Sequence, residues 1–226
     1  MDQLDVIQRL AVWAIPVLLA ITVHEVAHGW MALRLGDRTA LMLGRLTLNP
    51  IKHIDPIGTI LVPALMLLIG GFVFGWAKPV PVTWENLKKP KRDMALVALA
   101  GPVANLLMAI LWLIGLKIGI ALQTMSPWLS TPLIYMSAAG IFINCVLMVL
   151  NLLPLPPLDG GRVVTGLLPG PLSWKFSRLE PYGLIIVLVL FMTNILGKIL
   201  SPVLAVVLSL LLAMGHISPG LLQSMP

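Results

Sequence analysis

The run from Val6 to about Leu33 is apolar for long enough to cross a hydrocarbon layer of ~30 Å with some tilt, and it closes at Arg34, Asp37 and Arg38. Inside it stands Ile21-Thr22-Val23-His24-Glu25-Val26-Ala27-His28-Gly29-Trp30, where two of the four histidines in 226 residues flank a glutamate. An ionisable side chain deep in a membrane costs about 2.5–3.5 kcal/mol even on the gentler insertion scale, so three polar groups here imply a use. Positions i and i+4 share a helix face, and His24 and His28 can both reach one tetrahedral cation with bonds of roughly 2.0–2.1 Å. Glu25 then points beside the metal, where a carboxylate takes a proton from metal-bound water whose pKa zinc lowers to about 7. The competing reading is a histidine pair hydrogen-bonded inside a helix bundle, with Glu25 neutral or ion-paired. At 1.5 Å per residue, His28 and His24 lie roughly 9 and 15 Å from Arg34, within the membrane and nearer one surface.

With 58% hydrophobic and 11% charged residues the chain is no soluble globular domain, and an all-α, polytopic membrane protein is expected. Its net charge of +6 sits in short clusters between apolar runs, as in cytoplasmic loops, so no nucleic-acid partner is expected. The single cysteine, Cys145, excludes an intramolecular disulfide and a cysteine-rich metal site, and reads as a small core residue. Asp2 and Asp5 stand where a cleavable signal peptide would be basic. No long hydrophilic stretch and no repeat of fixed period occurs. One membrane-embedded domain over 1–226 is expected, with a core of about 6–162 and C-terminal spans of about 183–215.

After the first span, Gly44 to Asp55 is rich in turn formers, and His53 and Asp55 read either as metal ligands or as members of a hydrogen-bonded turn. Ile57 to Ile69 is apolar but short for a crossing, and Phe72–Val82 looks extended, with two prolines. Basic loops flank this pair, Arg45 and Lys52 before it and Lys88, Lys89, Lys91 and Arg92 after it. A helix that enters and an extended segment that returns keeps both loops on one side; a plain short span is the alternative. Exposed backbone at that depth must line a cavity, so this re-entrant loop is expected to border the site and to pair with an extended substrate. Together the pattern predicts five or six transmembrane segments.

The next span, about Met94 to Ala121, carries Ala100-Gly101-Pro102-Val103-Ala104-Asn105. Its small residues allow close helix approach, and Asn105 must find a partner inside the bundle, either as structure or to orient the site. The link from Gln123 to Pro132 is uncharged, which suits the external side. A fourth span, about Leu133 to Leu150, leads into Asn151-Leu152-Leu153-Pro154-Leu155-Pro156-Pro157-Leu158-Asp159-Gly160-Gly161-Arg162. Three prolines in four positions forbid a continuous helix and can aim Asp159 inward. On this topology Asp159 ends on the same side as His28 and can be a third ligand, leaving a fourth position for water. Alternatively it is a turn aspartate paired with Arg162. Val163 to Pro181 follows as a cytoplasmic stretch. Gly183 to Gly215 divides at Gly197–Pro202 into one broken span or two short ones, and His216 by the terminus is no expected ligand.

His24-Glu25-Val26-Ala27-His28, Gly101-Pro102-Val103-Ala104-Asn105 and the Asn151–Gly161 stretch together resemble the site-2 protease family of intramembrane zinc metalloproteases. The resemblance implies one zinc held by His24, His28 and Asp159, and Glu25 as general base and acid. It suggests Asn151 as a group near the scissile carbonyl that stabilises the oxyanion. Phe72–Val82 corresponds in position to the family's re-entrant β-loop, which makes Phe72, Val73, Phe74, Gly75 and Trp76, with Asn105, candidate substrate contacts. Implied substrates are single-pass membrane proteins trimmed by an upstream protease, or remnant signal peptides, cleaved in a bacterial plasma membrane with the site nearer the cytoplasm. Many relatives carry a PDZ or CBS domain; this chain has neither, so size filtering and nucleotide control do not carry over. Against hydrolysis stands a metal-ion transporter using the same ligands. No inverted repeat and no second file of ligands supports it.

Overall fold

The computed structural model describes residues 6–62, 65, 75 and 77–217, and among these it is helical without strands. Helix α1 (Val6–Leu35) is followed by the single turn α2 (Thr39–Met42) and by tight turns at Pro50–His53 and Pro56–Leu61. Then come α3 (Pro90–Ala121), α4 (Pro127–Asn151), α5 (Asp159–Leu167), α6 (Gly170–Ser177), α7 (Glu180–Met192) and α8 (Ile195–Met214). Leu10–Leu35, Pro90–Ala121, Pro127–Asn151 and Ile195–Met214 are long and apolar enough to cross a membrane, so the protein is multi-pass. Helix α7 is apolar but has only 13 residues, about 20 Å of rise. In Ile57–Ile69, the other segment in the expected five or six, residues 63, 64 and 66–69 lie outside the described residues.

Prolines explain where the helices start. Pro90 and Pro127 sit in the first turns of α3 and α4, where a missing N–H is no loss, so both helices begin before the apolar runs at Met94 and Leu133 do. Pro202, expected in a break, lies inside α8 instead. The chain divides earlier, at Asn194, whose left-handed φ of +59° is tolerated by asparagine better than by most residues. Membrane-spanning helices tolerate such a proline better than helices in water do.

Helix α3 is the centre of the bundle, packed on α1, α4, α5 and α8. Lipid is as apolar as a side chain, so association here depends on close packing and interhelical hydrogen bonds. The α3–α4 seam has both. The Trp112 ring lies on Gly140, where a Cβ would come within 2.4 Å of it, and the buried Ser130 hydroxyl donates to Gly119 O at 2.8 Å. Ala109, Leu113, Leu116, Ile141, Cys145, Leu211 and Leu212 fill the space between α3, α4 and α8.

At the other end of the bundle, Asp37 ties the chain after α1 to the chain before α3. Its buried carboxylate accepts from Thr39 N and Oγ1, from Thr83 N at 2.9 Å and from Asn86 Nδ2 at 3.0 Å. Lys88 N–H donates to Leu35 O alongside. Burial alone would push the Asp37 carboxyl up, but these donors outweigh it and hold it below its ordinary 3.8. A depressed folded value means that the stabilisation is present at neutral pH and is lost as pH falls through that value. Unfolding of Asp37→Ala in detergent should show a loss of roughly 2–4 kcal/mol at pH 7, because four donor groups lose a charged acceptor, and the difference from wild type should shrink below about pH 4.

Candidate metal centre

Helix α1 presents His24 and His28 one turn apart, and both are buried with Asp159. His24 Nε2 and His28 Nε2 stand 3.0 Å apart, and each lies 3.3 Å from Asp159 Oδ2. Asp159 reaches them because α4 stops at Asn151 and Pro154, Pro156 and Pro157 keep the chain out of helix until α5 begins at Asp159 itself. The first turn of α5 folds against that loop: a Cβ on Gly160 would lie 2.3 Å from Leu152 O, and one on Gly161 2.3 Å from Pro156 N. Arg162, the alternative partner of Asp159, turns away to Glu180 at 3.5 Å and over the Trp84 ring.

The far sides of both imidazoles are engaged by α3. His28 Nδ1 lies 2.7 Å from Val97 O, and since a carbonyl only accepts, that nitrogen carries the proton. His24 Nδ1 lies 2.6 Å from Asn105 Oδ1, while Asn105 Nδ2 donates to Asn144 Oδ1 at 2.9 Å and to Ala20 O at 3.3 Å. Those acceptors fix the amide's orientation, and the tautomers assigned from these partners leave both Nε2 atoms with bare lone pairs. Asp159 Oδ2 is buried without a hydrogen-bond partner. Three electron-rich atoms thus face one another, with ligand atoms of the three residues all within 4.8 Å. A tetrahedron with bonds of 2.0–2.1 Å has edges of about 3.3–3.4 Å, so two imidazoles and a carboxylate at this spacing fit zinc with a fourth position open. Gly101 makes room: a Cβ there would stand 2.4 Å from His28 Nε2 and 2.6 Å from His24 Cε1.

Glu25, partly buried beside the triad, accepts from Val80 N–H through Oε2 at 2.7 Å. Val80 belongs to a strap held at two further points. Lys78 N–H donates to His53 O at 2.9 Å, and the Arg45 guanidinium donates to Lys78 O and Pro79 O. The two ends of the 54–77 segment therefore meet, and the expected re-entrant turn between them lies largely outside the described residues. Phe72, Val73, Phe74 and Trp76 lie outside the described residues; Gly75 is described and exposed.

His53 and Asp55 serve turns. His53 Nε2 donates to Thr47 O, and Asp55 accepts from Ile57 N and Gly58 N. Asn151, the last residue of α4, donates through Nδ2 to Leu147 O at 3.0 Å. Sequence reasoning missed Asn144, the Val97 carbonyl and the Val80 N–H. Only Asn144 left a trace, as a lone amide in an apolar run.

The profile of peptidase family M50 matches residues 12–127 and 117–193. Over 190 residues the chain is 43% identical to a Bacillus subtilis protein named "Putative zinc metalloprotease YwhC", with 83% of each chain covered. Over 184 residues it is 33% and 30% identical to proteins named "Putative zinc metalloprotease Rip2" from Mycolicibacterium smegmatis and Mycobacterium tuberculosis, covering 80% of this chain and 66% of each relative. No solved structure matches the chain.

The close approach at Gly101 yields a test. Gly101→Ala favours the helix by up to about 1 kcal/mol yet forces the imidazoles aside. Metal titration should show affinity reduced at least about 10-fold.

Proposed function

Since the chain belongs to peptidase family M50, we propose that it is a zinc endopeptidase that hydrolyses peptide bonds within or close to the membrane, in single-pass membrane proteins or remnant signal peptides. The observation that carries this reading is the convergence of His24, His28 and Asp159 with Glu25 alongside. One zinc per chain, held by His24 Nε2, His28 Nε2 and Asp159 Oδ2, would supply Lewis acidity and bring the pKa of a water to about 7.

The protein's own groups do the rest. Val80 N–H holds Glu25 Oε2, so Oε1 takes the proton from the attacking water, and Glu25 then passes it to the leaving amine. Asn151 has a second Nδ2 hydrogen beyond its bond to Leu147 O, and that hydrogen serves the developing oxyanion. Val97 and Asn105 keep the ring nitrogens of His28 and His24 from turning. A substrate helix must unwind locally, because a peptide bond in an intact helix has its carbonyl engaged. The strap at 78–82 is where the extended stretch docks, and Phe72, Val73, Phe74, Gly75 and Trp76 are its further candidate contacts.

Orientation follows from charge. Arg34, Arg38, Lys88, Lys89, Lys91, Arg92 and Arg162 flank the ends of α1, α3 and α4 nearest the site, while the link between α3 and α4 is uncharged. The positive-inside tendency then puts the site nearer the cytoplasmic face of the cell membrane, and an upstream protease that trims the substrate is an implied partner. Ion transit through the same ligands is not favoured by membership of a peptidase family. The test is Glu25→Gln, reconstituted with single-pass membrane substrates. It should keep its zinc and lose at least about 100-fold in cleavage rate, whereas cleavage at the wild-type rate would sink the assignment.

A further inference from the structure

We propose that Asn144 is a positioning residue for the metal centre, acting through Asn105 to hold His24 in the tautomer that bares Nε2. This rests on reading His24 as a metal ligand. Asn144 stands on α4, touches neither histidine in the contacts described, and like Asn105 is fully buried.

The argument is one of hydrogen-bond direction. Gly140 O lies 2.8 Å from the Asn144 amide, and a carbonyl only accepts, so the Asn144 nitrogen faces it and the oxygen faces Asn105. That oxygen takes the Asn105 Nδ2 hydrogen at 2.9 Å, which turns Asn105 Oδ1 toward His24 Nδ1 at 2.6 Å. An oxygen there demands a proton on Nδ1 and leaves Nε2 bare. Each amide in the relay therefore reads its polarity from the one before, beginning at a backbone carbonyl that cannot turn.

Without Asn144 the direction of Asn105 is held only weakly. Its oxygen and nitrogen ends are nearly equal in shape, and without Asn144 its nitrogen keeps only the longer bond to Ala20 O at 3.3 Å. A flipped Asn105 presents N–H to His24 Nδ1 and moves the ring proton to Nε2, the atom that binds metal. His28 needs no such device, because its Nδ1 faces the Val97 carbonyl directly. Both Asn105 nitrogen hydrogens have acceptors, whereas Ser137 Oγ and Trp112 Nε1 elsewhere in the bundle are buried without partners.

The test compares wild type with Asn144→Ser, Asn144→Leu, Asn105→Leu and the Asn105→Leu/Asn144→Leu double variant, all purified as full chains in detergent. Serine at 144 keeps a hydroxyl that can bond Gly140 O within its own helix but does not reach Asn105. Zinc affinity is read by chelator competition. The His24 tautomer is read in metal-free protein labelled with 15N-histidine, its signal identified by its loss in His24→Gln. Both Asn144 variants should bind zinc about 10-fold more weakly or worse, with Nε2-protonated His24 appearing, and the double variant should be no weaker than Asn105→Leu alone. Wild-type affinity with an unchanged tautomer in Asn144→Ser, or losses that multiply in the double variant, would overturn the proposal. Failure of wild type to bind zinc would remove the ligand reading of His24, and the tautomer shift, measured without metal, would still decide whether the relay operates.

Discussion

Three lone pairs are held against one another in an apolar bundle, on His24 Nε2, His28 Nε2 and Asp159 Oδ2, at 3.0 and 3.3 Å. Left to themselves these atoms repel, and a buried carboxylate without a hydrogen-bond donor carries a desolvation penalty on the order of several kcal/mol. A divalent cation between them would turn that cost into binding, because the three atoms stand at spacings that suit a tetrahedral site. The surrounding structure is arranged to keep them there.

That arrangement uses backbone at close quarters. Gly101 lets α3 pass against the imidazoles, and Gly160 and Gly161 let α5 start directly on the loop that ends α4. Pro154, Pro156 and Pro157 stop the helix so that Asp159 faces α1. Once α3 is that close, Val97 O and Asn105 are within reach of the two Nδ1 atoms, and the same helix carries α4 and α8 on its other faces. The position of Glu25 is set independently, by a strap that Arg45 and His53 anchor. A metal reading that stopped at three ligands would leave out the polar groups that decide which lone pair each ligand offers.

The pairing of His24 with His28 and the helix break before Asp159 were legible because their causes are local. Histidines at i and i+4 share a face whatever the bundle does, and three prolines in four positions end a helix in any context. The all-helical, multi-pass build followed from composition for the same reason. Boundaries were less legible: apolar runs mark where lipid begins, but helices start at Pro90 and Pro127, and the C-terminal break falls at Asn194 rather than between Gly197 and Pro202. A proline inside a packed membrane helix is a weaker breaker than in water, and an asparagine turning left-handed is not visible as a pattern. Asn144 and the contacts of Val97 O and Val80 N–H were hidden because they depend on which helices meet, and a backbone atom has no sequence signature at all.

The proposed role of Asp159, distant in sequence, is to close a metal site begun by two histidines in α1. Zinc stoichiometry of detergent-purified wild type beside Asp159→Ala measures it without a known substrate. About one tightly held zinc per wild-type chain and a large loss in the variant are expected. An Asp159→Ala protein that kept its zinc as tightly as wild type would contradict that role.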